Sequence, residues 1–357
     1  MPTESVPGPA HGRAAPRRAV LRASVAGALA MMAASPAHAA GYAPRPLPGP
    51  RAHQASQTQI LACDQASQSV LLLDATSAYW HSGGFDGYAR AADLVPLWSW
   101  SPVGDSALDD LDTTTAWQNV SEAKARFPAT GPLLLTCASG GLAAAVHRND
   151  STVYWATALP SGTNPHSVEL LPDGNIAVAA TTGGFVRVYT ASQGERSDVY
   201  AEYELPEAHG LFWDGASGLL WALGDTRLVG LAVGGTAANP RLTAARTIAL
   251  PESGGHDLAK AVGTEGGLWV STSDHVHRLS VRDGRFFPFR RQGGIDLPTV
   301  KSVSQNPVTG QVLTVSPGAG SPCAWCTSHI RFHGPGDEEE LKGSSLYKAR
   351  WWTADAP

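Results

Sequence analysis

The chain has 357 residues, 43% of them hydrophobic and 16% charged, with a formal net charge of −5 at neutral pH. That length supplies enough apolar residues for a large core and exceeds a minimal domain. The acidic balance argues against nucleic acid as the main partner, and four cysteines are too few to form a disulfide scaffold.

Residues 1–39 read as an export signal and not as fold. Pro16-Arg17-Arg18-Ala19-Val20-Leu21-Arg22 is a twin-arginine pattern, small apolar residues run from Ala23 to Ala34, and Ala37-His38-Ala39 fits the small-x-small rule for cleavage. The apolar run is shorter than the ~20 residues a bilayer span needs, and no other run is long enough, so no membrane span is expected. Cleavage after Ala39 removes four Arg and one Glu, leaving 22 basic and 30 acidic residues and a net charge of −8. Residues 40–58, rich in Pro, Ala and Gln, read as a disordered lead-in. Residues 59–353 read as a single domain, expected to be secreted and monomeric.

From residue 60 onward the pattern is β throughout. Short runs of Val, Leu, Ala, Thr and Trp alternate with Gly-containing turns, and no long stretch has helical period. A partial unit opens at Ile60 with ILACDQASQSVLLLD and continues with LVPLWSW from Leu94. Fuller copies start at Glu122, Pro165 (PHSVELLPDGNIAVAATTGGFVRVYT), Ala208 (AHGLFWDGASGLLWALGDTRLVGLAV), Gly255 and Val300. Each copy opens on a basic residue, then gives an apolar strand, a turn containing Gly131, Gly174, Gly218, Gly266 or Gly310, and further strands. The opening residues are Lys124, His166, His209, His256 and Lys301, with separations of 42, 43, 47 and 45 residues. A period of ~40–50 residues with four strands per unit predicts an all-β propeller. Six blades are expected, or seven if residues 75–117 hide another, with the strand near Tyr347–Trp352 closing the ring beside the partial unit.

The segments ACDQ at Ala62, PHSVELLPDGN at Pro165, AHGLFWD at Ala208, GGHDL at Gly254 and VKSVS at Val300 carry a resemblance to a family of secreted bacterial proteins, the domain-of-unknown-function 6528 family. The resemblance covers most of residues 58–352 and implies a propeller and export, without an activity. A looser, fold-level resemblance links His at blade starts to propeller polysaccharide lyases such as the oligogalacturonate lyases, which implies a metal held by His in the channel.

In a propeller the innermost strands of all blades start at one rim of the channel, so residues at one repeat position form a ring. Lys124, His166, His209, His256 and Lys301 are placed in that ring. Ends of second strands add Asp64, Gln65, Ser139, Thr181, Asp225 and Asp274. Five cationic or ionisable groups at one mouth repel each other unless an anion or metal sits among them or carboxylates such as Asp257 or Glu169 neutralise them. Three neutral imidazoles suit Zn, Mn, Ni or Fe, and the cofactor expected is one divalent ion (Zn, Mn or Ca), with no organic cofactor. Lys124 and Lys301 would meet an anionic small molecule or polysaccharide. Tyr79, Trp80, Trp98 and Trp100 would either stack on sugar rings or pack blades.

Two functions follow. In one, the protein is a metal-assisted lyase or hydrolase on acidic carbohydrate, with His166, His209 or His256 as base. In the other it is a non-catalytic extracellular binding propeller. Outside the ring, Cys323-Ala-Trp-Cys326 reads as a loop disulfide or, with His329 and His333, as a zinc site. Cys63 and Cys137 read as buried thiols, and His275 and His277 as a blade-surface pair.

Overall fold

A computed structural model of the chain describes residues 58–76, 89–90, 95–263, 266–288, 295–334 and 338–353. The expected export signal, the lead-in up to residue 57, and Tyr79 and Trp80 lie outside the described residues.

The chain folds as a six-bladed β-propeller of antiparallel sheets. Blade 1 joins both ends of the domain: Leu346–Trp351 is its innermost strand, followed outward by Gln59–Asp64, Ser69–Asp74 and Trp98–Trp100. Blades 2 to 5 follow in chain order, with innermost strands Val120–Arg126, Pro165–Leu170, Gly210–Asp214 and Asp257–Lys260. Blade 6 starts with Ser302–Gln305, and the short strand Ala89–Arg90 adds in parallel to its outer edge. Residues 75–117 therefore hold no seventh blade among the described residues. Their described parts are edge strands and two short helical turns, Ser106–Leu111 and Thr113–Ala116.

The ring closes where the partial first unit lacks an inner strand. Ile60, Leu61 and Ala62 pair with Trp351, Arg350 and Ala349, so the predicted closing strand supplies the missing one. The six innermost strands then contact one another in a complete circle. Inner strands are hemmed in on both sides, so alternate and intervening residues are both buried, as from Val120 to Ala125 in the inner strand of blade 2 and throughout Leu133–Ala138 behind it. The core is divided accordingly. One apolar cluster fills each gap between neighbouring blades, with Trp117, Trp155, Trp221 and Trp269 as its largest fully buried side chains. Trp100 belongs to this core: it is 5% exposed and packs edge-on against Trp117 at 5.3 Å. It is not available to stack on a sugar.

Candidate functional site: one mouth of the channel

A recurring backbone feature aims the site. Asn119, Asn164, Glu207, Gly254 and Thr299 all have positive φ, between 52° and 78°. Each sits two residues before a residue at the start of an inner strand: Ser121, His166, His209, His256 and Lys301. The left-handed residue turns the chain into the strand and presents the residue after next at the mouth. Only Gly fits this conformation without strain, and at Gly254 a side chain would also collide with Ser273. Asp225 fixes that loop by accepting from the Gly254 N–H at 2.8 Å through its side chain and from the Gly255 N–H through its carbonyl.

This register corrects one expected ring member. Ser121, and not Lys124, occupies the ring position of blade 2. Tyr347, which was not among the candidates, occupies that of blade 1. Lys124 lies one layer down the channel, donating to Ser167 Oγ at 2.9 Å and to the Leu211 carbonyl at 2.7 Å. It lies 3.7 Å from both Glu122 and Glu169.

The three imidazoles do meet. Ring centroids are 4.6 Å apart for His166 and His209, 4.5 Å for His209 and His256, and 6.3 Å for His166 and His256. Their hydrogen bonds form one consistent chain. Lys301 Nζ donates to His256 Nε2 at 3.3 Å, and the Tyr347 hydroxyl, 3.2 Å from that same nitrogen, donates to His166 Nδ1 at 3.0 Å. His166 Nε2–H then faces Asn164 Oδ1 at 3.0 Å, with Ser139 Oγ at 3.5 Å. His209 Nδ1 lies 3.2 Å from the Glu207 carbonyl, which can only accept, so Nδ1 carries the proton and Nε2 holds a lone pair. That lone pair has no hydrogen-bond partner among the described residues, and His209 is only half-buried. His256, with Nε2 accepting, must carry its proton on Nδ1, a buried atom left without an acceptor. An unmet buried donor costs about 1–3 kcal/mol.

Burial keeps all three rings neutral. It pushes His166 and His256 well below the ordinary imidazole value, helped by the other rings and by Lys348 and Lys301, and it pushes His209 down to about 4. The histidine part of the ring is therefore neutral. The positive charge resides in the lysines. Lys301, lowered by burial and by Lys348, has no carboxylate partner among the described residues.

Beneath the mouth the axis is filled with charge. Glu122 and Asp257 receive Arg350 and Lys348: Arg350 Nε to Glu122 is 2.7 Å, Arg350 Nη2 to Asp257 is 2.6 Å, and Lys348 lies 3.4 and 3.3 Å from the two acids. Glu169 holds Arg126 at 2.6 Å through paired contacts. The neighbouring guanidinium and ammonium groups hold the Glu122 and Asp257 carboxyls below the usual range despite burial. Four cations thus face three carboxylates in this network, and Lys301 adds a further positive charge above it.

The nitrogens of the histidine trio do not converge on a point. They pack ring against ring, and no group of three or more His, Cys, Asp or Glu among the described residues is spaced to hold a metal ion. Asp64 serves its own turn, accepting from Ala66, Ser67 and Ser345 backbone N–H groups, while Gln65 stands on the rim and donates to the Val120 carbonyl at 3.3 Å. Thr181 donates to the Ala208 carbonyl next to His209. Cys323 and Cys326 form a disulfide, and His333 and His329 turn instead to Thr314 and Ser328, so the alternative zinc site does not form. His275 and His277 lie on a blade surface against Asp296 and Glu252. Cys63 and Cys137 are buried free thiols.

Fold and site together define a six-bladed propeller with a polar, positively biased mouth. The chain belongs to a family of unknown function, DUF6528, whose model matches residues 88–356. Among solved structures it is similar to a protein of unknown function from Bacteroides caccae, with 13% identity and a TM-score of 0.52, covering 83% of this chain and 98% of that one. It is less similar to virginiamycin B lyase from Staphylococcus aureus, with 13% identity and a TM-score of 0.42, covering 63% of this chain and 70% of that one. No curated protein matches the sequence. No helix among the described residues is long and apolar enough to cross a membrane.

Proposed function

We propose that the mouth binds an acidic carbohydrate outside the cell and acts on it as a lyase, with His209 as the base and Lys301 as the carboxylate anchor. The observation that carries this reading is the pairing of two groups across His256: a neutral imidazole with a free lone pair, and an ammonium with no carboxylate partner. The excess positive charge of the axial network strengthens the pull on an anion, because little solvent screens it there.

A uronate eliminates when its carboxylate is neutralised and a base reaches the C5 proton. In the proposed step Lys301 takes the carboxylate. His209 Nε2 takes the C5 proton, the electron pair forms the C4–C5 double bond, and the C4–O bond breaks. The departing oxygen then takes a proton from the His209 imidazolium, which returns the ring to its starting form. Tyr347, whose phenol is held well above its ordinary value by burial and by the Asp257 and Glu122 charges, stays protonated and holds His166 in its Nε2–H tautomer, while the Lys301 ammonium fixes that of His256. No step is routed through a metal, because the donor set does not fit one.

The test is an absorbance assay for unsaturated products on uronate polymers, with His209→Gln and Lys301→Met beside wild type. Product from wild type, lost in His209→Gln, supports the lyase. Binding of the polymer without any product would make the mouth a recognition site only. A His209→Gln protein with wild-type turnover would end the assignment of the base.

A further inference from the structure

One apolar surface at this mouth is not used by the chemistry above. Trp325 is 48% exposed and is the tryptophan among the large apolar side chains that the described residues leave in water. A side chain of that size is ordinarily well buried, as Trp117, Trp155, Trp221 and Trp269 are here. Its exposure is not the result of a loose loop. The disulfide between Cys323 and Cys326 brackets it. Its indole N–H donates to Gln65 Oε1 at 3.0 Å. Gln65 is itself fixed, through its side-chain N–H to the Val120 carbonyl and its backbone N–H to the Ser345 carbonyl at 2.9 Å. Past the disulfide, Thr327 and Leu346 exchange two backbone hydrogen bonds.

Each of these anchors lies at the mouth end of an inner strand. Val120 immediately precedes Ser121, and Leu346 immediately precedes Tyr347, the residue that touches His166 and His256. The covalent and hydrogen-bonded clamp therefore holds an indole face at the rim of the same site. The chain around it, through Ser316, Pro317, Ser321 and Thr327, also walls a cavity of about 330 Å³ whose other side includes His329 and Arg331.

We propose that Trp325 is a stacking platform for a pyranose ring, so that the ligand is an oligosaccharide reaching from the rim to the axis and not a single small anion. This rests on the acidic-sugar reading of the mouth. The C–H face of a sugar ring sheds water against an indole face, and a platform already fixed by a flanking disulfide and by its hydrogen bond to Gln65 loses little freedom on binding. Lys301 would take a carboxylate on one residue of the chain, and Trp325 would take a neighbouring ring. Gln65, expected from sequence to touch substrate, acts through Trp325 as a positioning residue.

The experiment compares full-length mature protein with its Trp325→Ala, Trp325→Phe and Lys301→Met variants. The probes are tetragalacturonate, galacturonate and cellotetraose, titrated calorimetrically, with thermal unfolding as a check on folding. Trp325→Ala is expected to weaken tetragalacturonate about tenfold while leaving the monomer unchanged. Trp325→Phe, which keeps an aromatic face, should recover most of that loss. Lys301→Met should weaken both acidic ligands. If Trp325→Ala binds the tetramer as tightly as wild type, the platform is refuted and the reading of Lys301 stands. If cellotetraose binds with full dependence on Trp325 and none on Lys301, the platform stands and the acidic-sugar reading is wrong. If wild type binds none of the three, both are overturned.

Discussion

Replacing His209 with Gln removes one of three neutral imidazoles stacked at the mouth, and the consequence should be readable as a change in acid stability. In the folded protein His209 titrates near 4 because burial and the Lys348 charge oppose its protonation. In the unfolded chain it titrates near ~6.5. Above that value both states are neutral and the group contributes nothing to the pH dependence. As pH falls below ~6.5 the unfolded state gains the proton first, so stability declines until the folded ring also protonates near pH 4. At pH 5 the accumulated loss from this residue is about 2 kcal/mol relative to pH 7.5. His166 and His256 act in the same direction, and each is pushed down further by His209 itself. Glu122 and Asp257, held low by Arg350 and Lys348, add their loss only below about pH 4.3, so the interval from pH 5 to 6.5 belongs to the histidines. Urea unfolding at pH 7.5, 6 and 5 measures this directly. His209→Gln should lose about 2 kcal/mol less than wild type between pH 7.5 and 5. Equal losses in the two proteins would show that His209 is not held neutral, and would remove the argument for its free lone pair at pH 7.

Other consequences are simpler to measure. Glu122→Gln leaves Arg350 and Lys348 short of a carboxylate inside the protein and should cost about 3–5 kcal/mol in urea unfolding, far more than a change at an exposed pair such as Arg331–Glu338. Cys63 and Cys137 should resist alkylation in the native protein and react only on unfolding, since burial raises both thiols, Cys137 to about 12. Lyase activity, if present, should keep its acid limb near pH 4 and show no step at the ordinary imidazole value, a profile obtained from kcat/KM against pH. Changing Arg17 and Arg18 to Lys should abolish export of folded protein, with fractionation as the measurement.

The propeller was legible because each blade repeats the same sequence of apolar strand and turn, and because the partial unit at Ile60 visibly lacked a strand that Leu346–Trp351 could supply. The three histidines were legible for the same reason. Lys124 was misplaced because it was aligned by charge. The true register follows the left-handed residue two positions earlier, and the chain uses Asn, Asn, Glu, Gly and Thr there, so no letter repeats. Ser121 and Tyr347 restore an even period around the ring, 45 residues before His166 and 46 after Lys301, but neither is basic, so the series of basic openings passes over both. The axial charge network left a different trace: Glu122, Lys124 and Arg126, then Lys348 and Arg350, alternate with the apolar Ala123, Ala125 and Ala349. Alternating charge on a strand reads as a solvated face unless the strand is known to line a closed axis. Trp100 and Trp325 show the limit in the other direction. Composition cannot tell which tryptophan meets Trp117 in the core and which is lifted out by a disulfide.

The strand that closes the ring also carries Tyr347, Lys348 and Arg350, which sit at the mouth and at the centre of the ionic network. During synthesis five blades can emerge with Glu122 and Asp257 still lacking Arg350 and Lys348 and with the imidazoles of His166 and His256 still without the neighbouring phenol. The last of the six inner strands to leave the ribosome therefore neutralises the axis and completes the site in one event. A nascent chain that stalls before residue 346 has neither a closed ring nor an assembled mouth.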